Sequence, residues 1–207
     1  MLNNNTVPMK KSKVLMIVGS LLLLGTFVYP LWNIRLEAPQ YPIPLGMYIH
    51  INKITDEAPF DVKNINLMNH YVGMKEIPEH LPEFDIFPPV IIAMVVLGVL
   101  FGFWGKPKGY LAWFILMSLL GAAGIYDFYL WEYDYGHNLD PHAIMKFTNP
   151  DGSIMGFQPP LYGSKVLLNF VAHSYPRAGA VFVFVGMMLT LAAFFVGNAE
   201  EKKKSLK

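Results

Sequence analysis

The chain has 207 residues, 54% of them hydrophobic and 15% charged, with a mean hydropathy of +0.36. A soluble domain of this size is ordinarily less apolar and more charged. A net charge of +1 gives no basic surplus for a nucleic-acid partner. The absence of cysteine excludes a disulfide framework, a thiolate zinc site and a Cys-ligated cluster, so any metal must be held by His, Met, Asp, Glu or backbone oxygen.

The apolar residues are clumped, and the clumps predict an all-α membrane protein with four transmembrane helices and two structured outer loops. A helix needs about 20 apolar residues to cross a hydrocarbon core of roughly 30 Å. Residues 14–31 form the first such stretch, after a basic segment 1–13 that carries Lys10, Lys11 and Lys13. Its length, and the lack of a small-residue cleavage site near Phe27, favour a retained helix over a cleaved leader. The second and third stretches, residues 89–104 and 110–130, are joined by a tight basic turn, 105–109, with Lys106 and Lys108. The fourth, 178–196, leads into a basic tail, 197–207.

Lysine and arginine flanks mark the cytoplasmic side of a membrane helix. With four spans, 1–13, 105–109 and 197–207 all fall on that side, and the acidic loops 32–88 and 131–177 fall outside. The expected location is therefore the bacterial inner membrane, with both termini cytoplasmic. Gly98 and Gly102 form a G-x-x-x-G in the second span; Gly121, Gly124, Gly179 and Gly186 are further candidates for close helix contact. Asp127 is the lone ionisable residue within the spans, too little for a proton or ion pathway, and it is expected to be hydrated or paired with a neighbour such as Arg177.

In the first outer loop, three prolines fix an extended path over residues 37–44. Residues 45–54 alternate as a strand does, and residues 61–75 read as a short helix capped by Asp61 or Asn64. In the second, residues 133–142 read as an aromatic, polar loop, and residues 164–171 as a helix lying in the membrane interface. Trp32, Tyr126, Tyr129, Trp131, Tyr133, Tyr135 and Tyr162 crowd the outer boundary as an aromatic belt. The density at Trp131, Tyr133 and Tyr135 exceeds what anchoring needs and predicts a partner-binding surface.

All six histidines fall in the outer loops, with Met47, Met68, Met74, Met145 and Met155. Thioether plus imidazole is a ligand set for copper, above all Cu(I), where thiolate is absent. The densest cluster is Met68, His70 and Met74. On a continuous helix His70 and Met74 share a face and Met68 points away, unless the helix ends at Gly73. His50, and His137 with His142 across a turn, are weaker metal candidates. The plainer alternative is that loop methionines fill a small core. No P-loop, H-E-x-x-H, G-x-S-x-G or C-x-x-C-H pattern is present, and no catalytic residues are expected.

Four outer segments carry a resemblance: Leu36-Glu-Ala-Pro-Gln-Tyr-Pro, Ile65-Asn-Leu-Met-Asn-His-Tyr-Val-Gly-Met-Lys, Trp131-Glu-Tyr-Asp-Tyr-Gly-His-Asn-Leu-Asp-Pro and Phe157-Gln-Pro-Pro-Leu. They resemble a family of multi-pass membrane proteins encoded in the nos gene clusters of bacteria with the clade II nitrous oxide reductase, beside its copper-maturation factors. The resemblance implies a non-catalytic accessory protein that docks, anchors or helps mature a periplasmic copper enzyme, with copper delivery through Met68, His70 and Met74. Two rivals are an integral subunit of a membrane redox complex, with a metal or quinol site at its outer face, and a metal-free membrane scaffold.

Overall fold

A computed structural model describes residues 10–205; the outermost parts of the expected N-terminal segment and basic tail, residues 1–9 and 206–207, lie outside the described residues. The chain forms α1 (Lys11–Leu21) with a 3-10 extension (Leu22–Phe27), β1 (Trp32–Glu37), β2 (Leu45–Ile49), β3 (Ile54–Asp56), α2 (Asp61–Val72), α3 (Glu83–Trp104), α4 (Pro107–His137), β4 (Gly163–Leu167), β5 (Phe170–Pro176) and α5 (Ala178–Ser205). These divide into two compact units, one of residues 1–25, 89–120 and 181–207, the other of residues 26–88 and 121–180.

The all-α, four-span architecture is overturned on two counts. The described residues contain a five-stranded antiparallel sheet, and three helices rather than four are long and apolar enough to cross a membrane: α3, α4 and α5. The first apolar stretch stays α-helical for only 11 residues, a rise of about 16 Å. It then tightens into the 3-10 segment and leaves helical geometry ahead of Pro30, in keeping with the restriction proline places on the residue before it.

In the helical unit the backbones approach closely. A Cβ on Gly19 would lie 2.7 Å from the Gly186 carbonyl oxygen, and one on Gly186 would lie 2.5 Å from that of Gly19. Gly98 and Gly102 of α3 likewise abut Ser20 and Ile17 of α1, whereas Gly121 and Gly124 meet nothing. The buried indole of Trp113 on α4 donates to the Met94 carbonyl of α3 at 2.7 Å. Ser12, in the first turn of α1, donates to Glu200 near the end of α5 at 2.7 Å, so the start of α1 and the end of α5 are neighbours in this unit.

The second unit is built on the sheet, ordered β3-β2-β1-β5-β4. Its central strand β1 pairs with β2 on one side and with β5 on the other. Residues 32–88 and 131–177, expected as two separate outer loops, therefore share one sheet. Alternation sorts the side chains by face. Trp32, Ile34 and Leu36 of β1 stand opposite Ile49, Met47 and Leu45 of β2 and share their face, and α2 and the last turns of α4 contribute Ile65 and Tyr135 to the same core.

The opposite face is polar, and Glu57 organises it. Arg35 forks onto both carboxylate oxygens, its Nε donating to Oε2 at 2.7 Å; Asn33 Nδ2 and Tyr48 OH donate as well, at 3.0 and 3.1 Å. Arg177 donates to Asn33 at 2.9 Å, so the cation expected near Asp127 serves this network instead. Gly46 is needed opposite Arg35, because a Cβ there would collide with the Glu57 side chain.

Several local expectations change. Residues 164–171 are not an interfacial helix but β4, a two-residue turn and the start of β5. β-branched Val166 and Val171 pair across the two strands and suit the pleat. Residues 45–54 make a strand only as far as Ile49. Helix α2 ends at Val72, with Gly73 as a left-handed C-cap (φ 81°), ahead of the prolines. Neither Asp61 nor Asn64 caps α2: the N-cap residue is Phe60, without a side-chain cap bond, and the Asp61 carboxylate instead accepts from the N–H groups of Gly46 and Ala58 outside the helix, at 2.9 Å each. Finally, α4 continues through 131–137 instead of breaking into a loop. Its 31 residues rise about 46 Å, well beyond a hydrocarbon core of about 30 Å.

Two outcomes follow for stability. Phe60, the residue before α2, is exposed at a φ of 70°, where a side chain costs roughly 1–2 kcal/mol and glycine does not. Phe60→Gly should raise the thermal midpoint in detergent by a few degrees; a lower midpoint would mean the ring makes contacts worth more than the backbone strain. The Arg35 hydrogen bonds hold the Glu57 carboxyl at about 2, below its ordinary 4.5. A depressed folded-state value means stability that is complete above about 4.5 and is lost as pH falls through about 2. The gap in midpoint between wild type and Glu57→Gln should thus stay constant from pH 7 to 5 and close towards pH 2.

Candidate functional site: a methionine-lined cavity with a buried carboxyl

A cavity of about 110 Å³ lies between the apolar face of the sheet, α2 and the end of α4. The same face of α4 supplies Trp131, Glu132 and Tyr135, a helical spacing that sends all three inward. β1 and β2 supply Ile34, Leu36 and Met47, and α2 supplies Met68 and Asn69. The αL turn at Gly73 lifts Met74 off the helix and returns it to the cavity wall beside Met68. Three thioether side chains thus line one small apolar chamber.

Glu132 is the anomaly. It is fully buried, and among the described residues neither carboxylate oxygen has a hydrogen-bond partner. Burying a polar group unpartnered is costly, and a lone carboxylate in apolar surroundings far more so unless a proton or a cation neutralises it. Nothing in the packing of α4 requires an acid there, since a leucine would fill the same wall. Native interiors satisfy the great majority of their buried polar groups, and exceptions concentrate where a ligand or catalytic role accounts for them.

The sequence-derived metal residues separate. Met68 and Met74 both line this cavity, while His70 lies on the other side of α2, along an open groove with Glu76 and Glu79, its ring edge-on to Tyr71. His50 sits by Thr55, 3.2 Å from its hydroxyl, and burial followed by the charge of Lys53 lowers its pKa. His137 ends α4, donating to the Tyr133 carbonyl and stacking on the Tyr133 ring at 4.2 Å. His142 lies in the turn closed by Asp140 and is exposed. Among the described residues, no three His, Asp or Glu side chains are grouped to hold a metal.

The aromatic trio divides in the same way. Trp131 and Tyr135 pack into the core with their ring centroids 4.5 Å apart, and Tyr135 donates to the Glu76 carbonyl. Tyr133 remains outside, half exposed, between Tyr129 and His137. Trp32 is also a core residue, its indole donating to Ser174 at 2.7 Å.

Met47 and Glu132 are the cavity residues that reading the sequence did not single out as ligands. The signal for Glu132 was present, in that Phe128, Trp131, Glu132 and Tyr135 recur at i, i+3, i+4 and i+7 of one helix. Met47 needed the β1–β2 register, which no local pattern supplies. Comparison with protein-family models and with curated proteins returns no match.

If Glu132 is kept for what it binds rather than for the fold, replacing it should trade binding for stability. Glu132→Leu is expected to stabilise the protein by on the order of 1–3 kcal/mol, the cost of an unsatisfied buried polar group, read as a higher unfolding midpoint. A lower midpoint would make the carboxyl a structural element with a partner inside the wall.

Proposed function

We propose that the protein is a membrane-anchored accessory partner of a periplasmic copper enzyme, which takes up Cu(I) in the cavity at Met47, Met68, Met74 and Glu132 and presents it outside the cytoplasm. The observation that carries this reading is that three methionines and an uncompensated carboxyl line the same small cavity, with the Met68 sulfur also accepting from Gln40 Nε2 at 3.4 Å. Thioethers favour soft, monovalent Cu(I) over the hard divalent ions. The carboxylate would cancel its single charge, so that cargo and site are neutral together, which lowers the cost of burial. His70 lies outside this donor set and is free to act at the groove.

Nitrous oxide reductase is the partner that the resemblance of the outer segments implies. A bacterial inner-membrane location, with the α3–α4 turn and the end of α5 cytoplasmic and the sheet-bearing unit periplasmic, is supported by the lysines at that turn and at the end of α5. The exposed aromatic edge at Tyr129 and Tyr133 suits a docking contact.

Full-length protein in detergent, titrated anaerobically with Cu(I) against a chromogenic chelator, should bind one equivalent. Met68→Leu with Met74→Leu should weaken binding at least tenfold, as should Glu132→Gln, while His70→Ala should leave it unchanged. Unchanged affinity in the Met and Glu variants would remove copper from the role. Co-purification of nitrous oxide reductase with the tagged protein from native membranes tests the docking half separately.

A further inference from the structure

The polar face of the sheet holds a second cluster with the makings of a nucleophilic site. Ser164 on β4, His173 on β5 and Glu37 on β1 stand on three adjacent strands. The Ser164 hydroxyl lies 2.7 Å from His173 Nδ1, and His173 Nε2 lies 3.1 Å from Glu37 Oε1. The carboxylate accepts from Nε2–H, which leaves Nδ1 as the acceptor for the serine proton. A nucleophile on a base, with the base oriented by an acid, is the recurring arrangement of covalent acyl transfer.

The sheet register explains the geometry. Leu167 and Phe170 close a two-residue turn, so they are a hydrogen-bonded pair, and counting back makes Ser164 and His173 a non-hydrogen-bonded pair. Such pairs bring facing side chains closest. The same register turns the Ser164 N–H away from β5, and because β4 is the edge strand that N–H points off the sheet. Glu37 is the diagonal neighbour of His173, within reach of a long side chain. Arg35, directly opposite His173, is held by Glu57 and so leaves Glu37 to the histidine.

Two further groups complete the site. The Tyr175 hydroxyl is 3.3 Å from the Ser164 oxygen, so it and the Ser164 N–H are donors for a developing oxyanion. Tyr162, Val166 and Tyr175 are exposed, at 69%, 69% and 41%, and share this face with Ser164, giving an apolar rest for an acyl group.

We propose that this face hydrolyses carboxylic esters with an apolar acyl group, an activity separate from the methionine-lined cavity on the other side of the sheet. Ser164 Oγ bonds to the acyl carbon as its proton passes to His173 Nδ1. The ester C–O bond breaks, and that proton leaves on the alcohol. Water, giving its proton to His173, then splits acyl-Ser164 into the carboxylic acid and the free serine, so ester and water become acid and alcohol with no redox change. Glu37 acts through the imidazole and is a positioning residue.

The test uses full-length protein in detergent with p-nitrophenyl butyrate and a fluorophosphonate probe. Wild type should hydrolyse the ester above a Ser164→Ala control by about 100-fold or more, and peptide mapping should find the phosphonate on Ser164. His173→Gln should lose both activities. Glu37→Gln should lower kcat about tenfold with KM within twofold and the unfolding midpoint unchanged, whereas loss of folding would lower that midpoint as well. Ser153→Ala, on an exposed turn elsewhere, should retain full labelling. Because Ser164 is an exposed edge-strand residue, its alanine variant should keep the wild-type unfolding midpoint, which removes misfolding as an explanation. Absence of labelling in folded wild type, or labelling that survives Ser164→Ala, overturns the proposal.

Discussion

The pairing of β1 with β5 is the constraint on which the rest of the second unit depends. It joins residues 32–37 to residues 170–176, more than 130 positions apart in the chain. Without it β1, β2 and β3 form a separate small meander, and β4 with β5 is left as a lone hairpin. Isolated hairpins of this kind are marginal in water. With it, five strands share one apolar face, and that face has enough area to hold α2 and the end of α4. Both sites follow from the same ladder. The cavity lies against one side of β1, under Ile34 and Leu36, and Glu37 and Arg35 are set on the other by the period of two.

What could be read from the sequence was what local pattern determines. The long apolar helices, the helix over residues 61–72 and the strand beginning at Leu45 are each signalled by composition or period within one window. The sheet was not. β1 and β5 carry no partner signal of their own, because register between strands so far apart is decided by which faces become buried, not by neighbours in sequence. Residues 164–171 illustrate the ambiguity: eight residues of which five are apolar fit a helix lying on a membrane as well as two strands around a turn, and only the partner strand decides. The span count failed for a different reason. Residues 14–31 meet the compositional criterion, but a 3-10 segment with Gly25 ends the α-helix after 11 residues. Composition counts apolar residues and does not see hydrogen-bond geometry.

The metal candidates show the same limit at the scale of one turn. Reading 61–75 as an unbroken helix pairs His70 with Met74 and isolates Met68. Gly73 reverses that grouping. With φ at 81° it ends α2 one residue after Val72, and the chain swings Met74 back to the side that already holds Met68. A single left-handed glycine therefore decides whether the donor set is imidazole with thioether or thioethers alone. That difference is chemical, because imidazole suits several metals whereas a thioether set narrows the choice to soft ions.

Glu132 links this donor set to the stability of the fold. Its neighbours Trp131 and Tyr135 are core residues, so α4 cannot turn to bring the carboxyl to water without pulling two large rings out of the sheet interface. The acid is thus held in place by apolar packing on either side of it, not by any bond it makes. Such a group gains from a ligand that partners it, because an unpartnered buried carboxyl carries a desolvation cost, protonated or not, that a partnered one is largely relieved of. The packing that makes the empty site expensive is the same packing that makes a cationic occupant favourable.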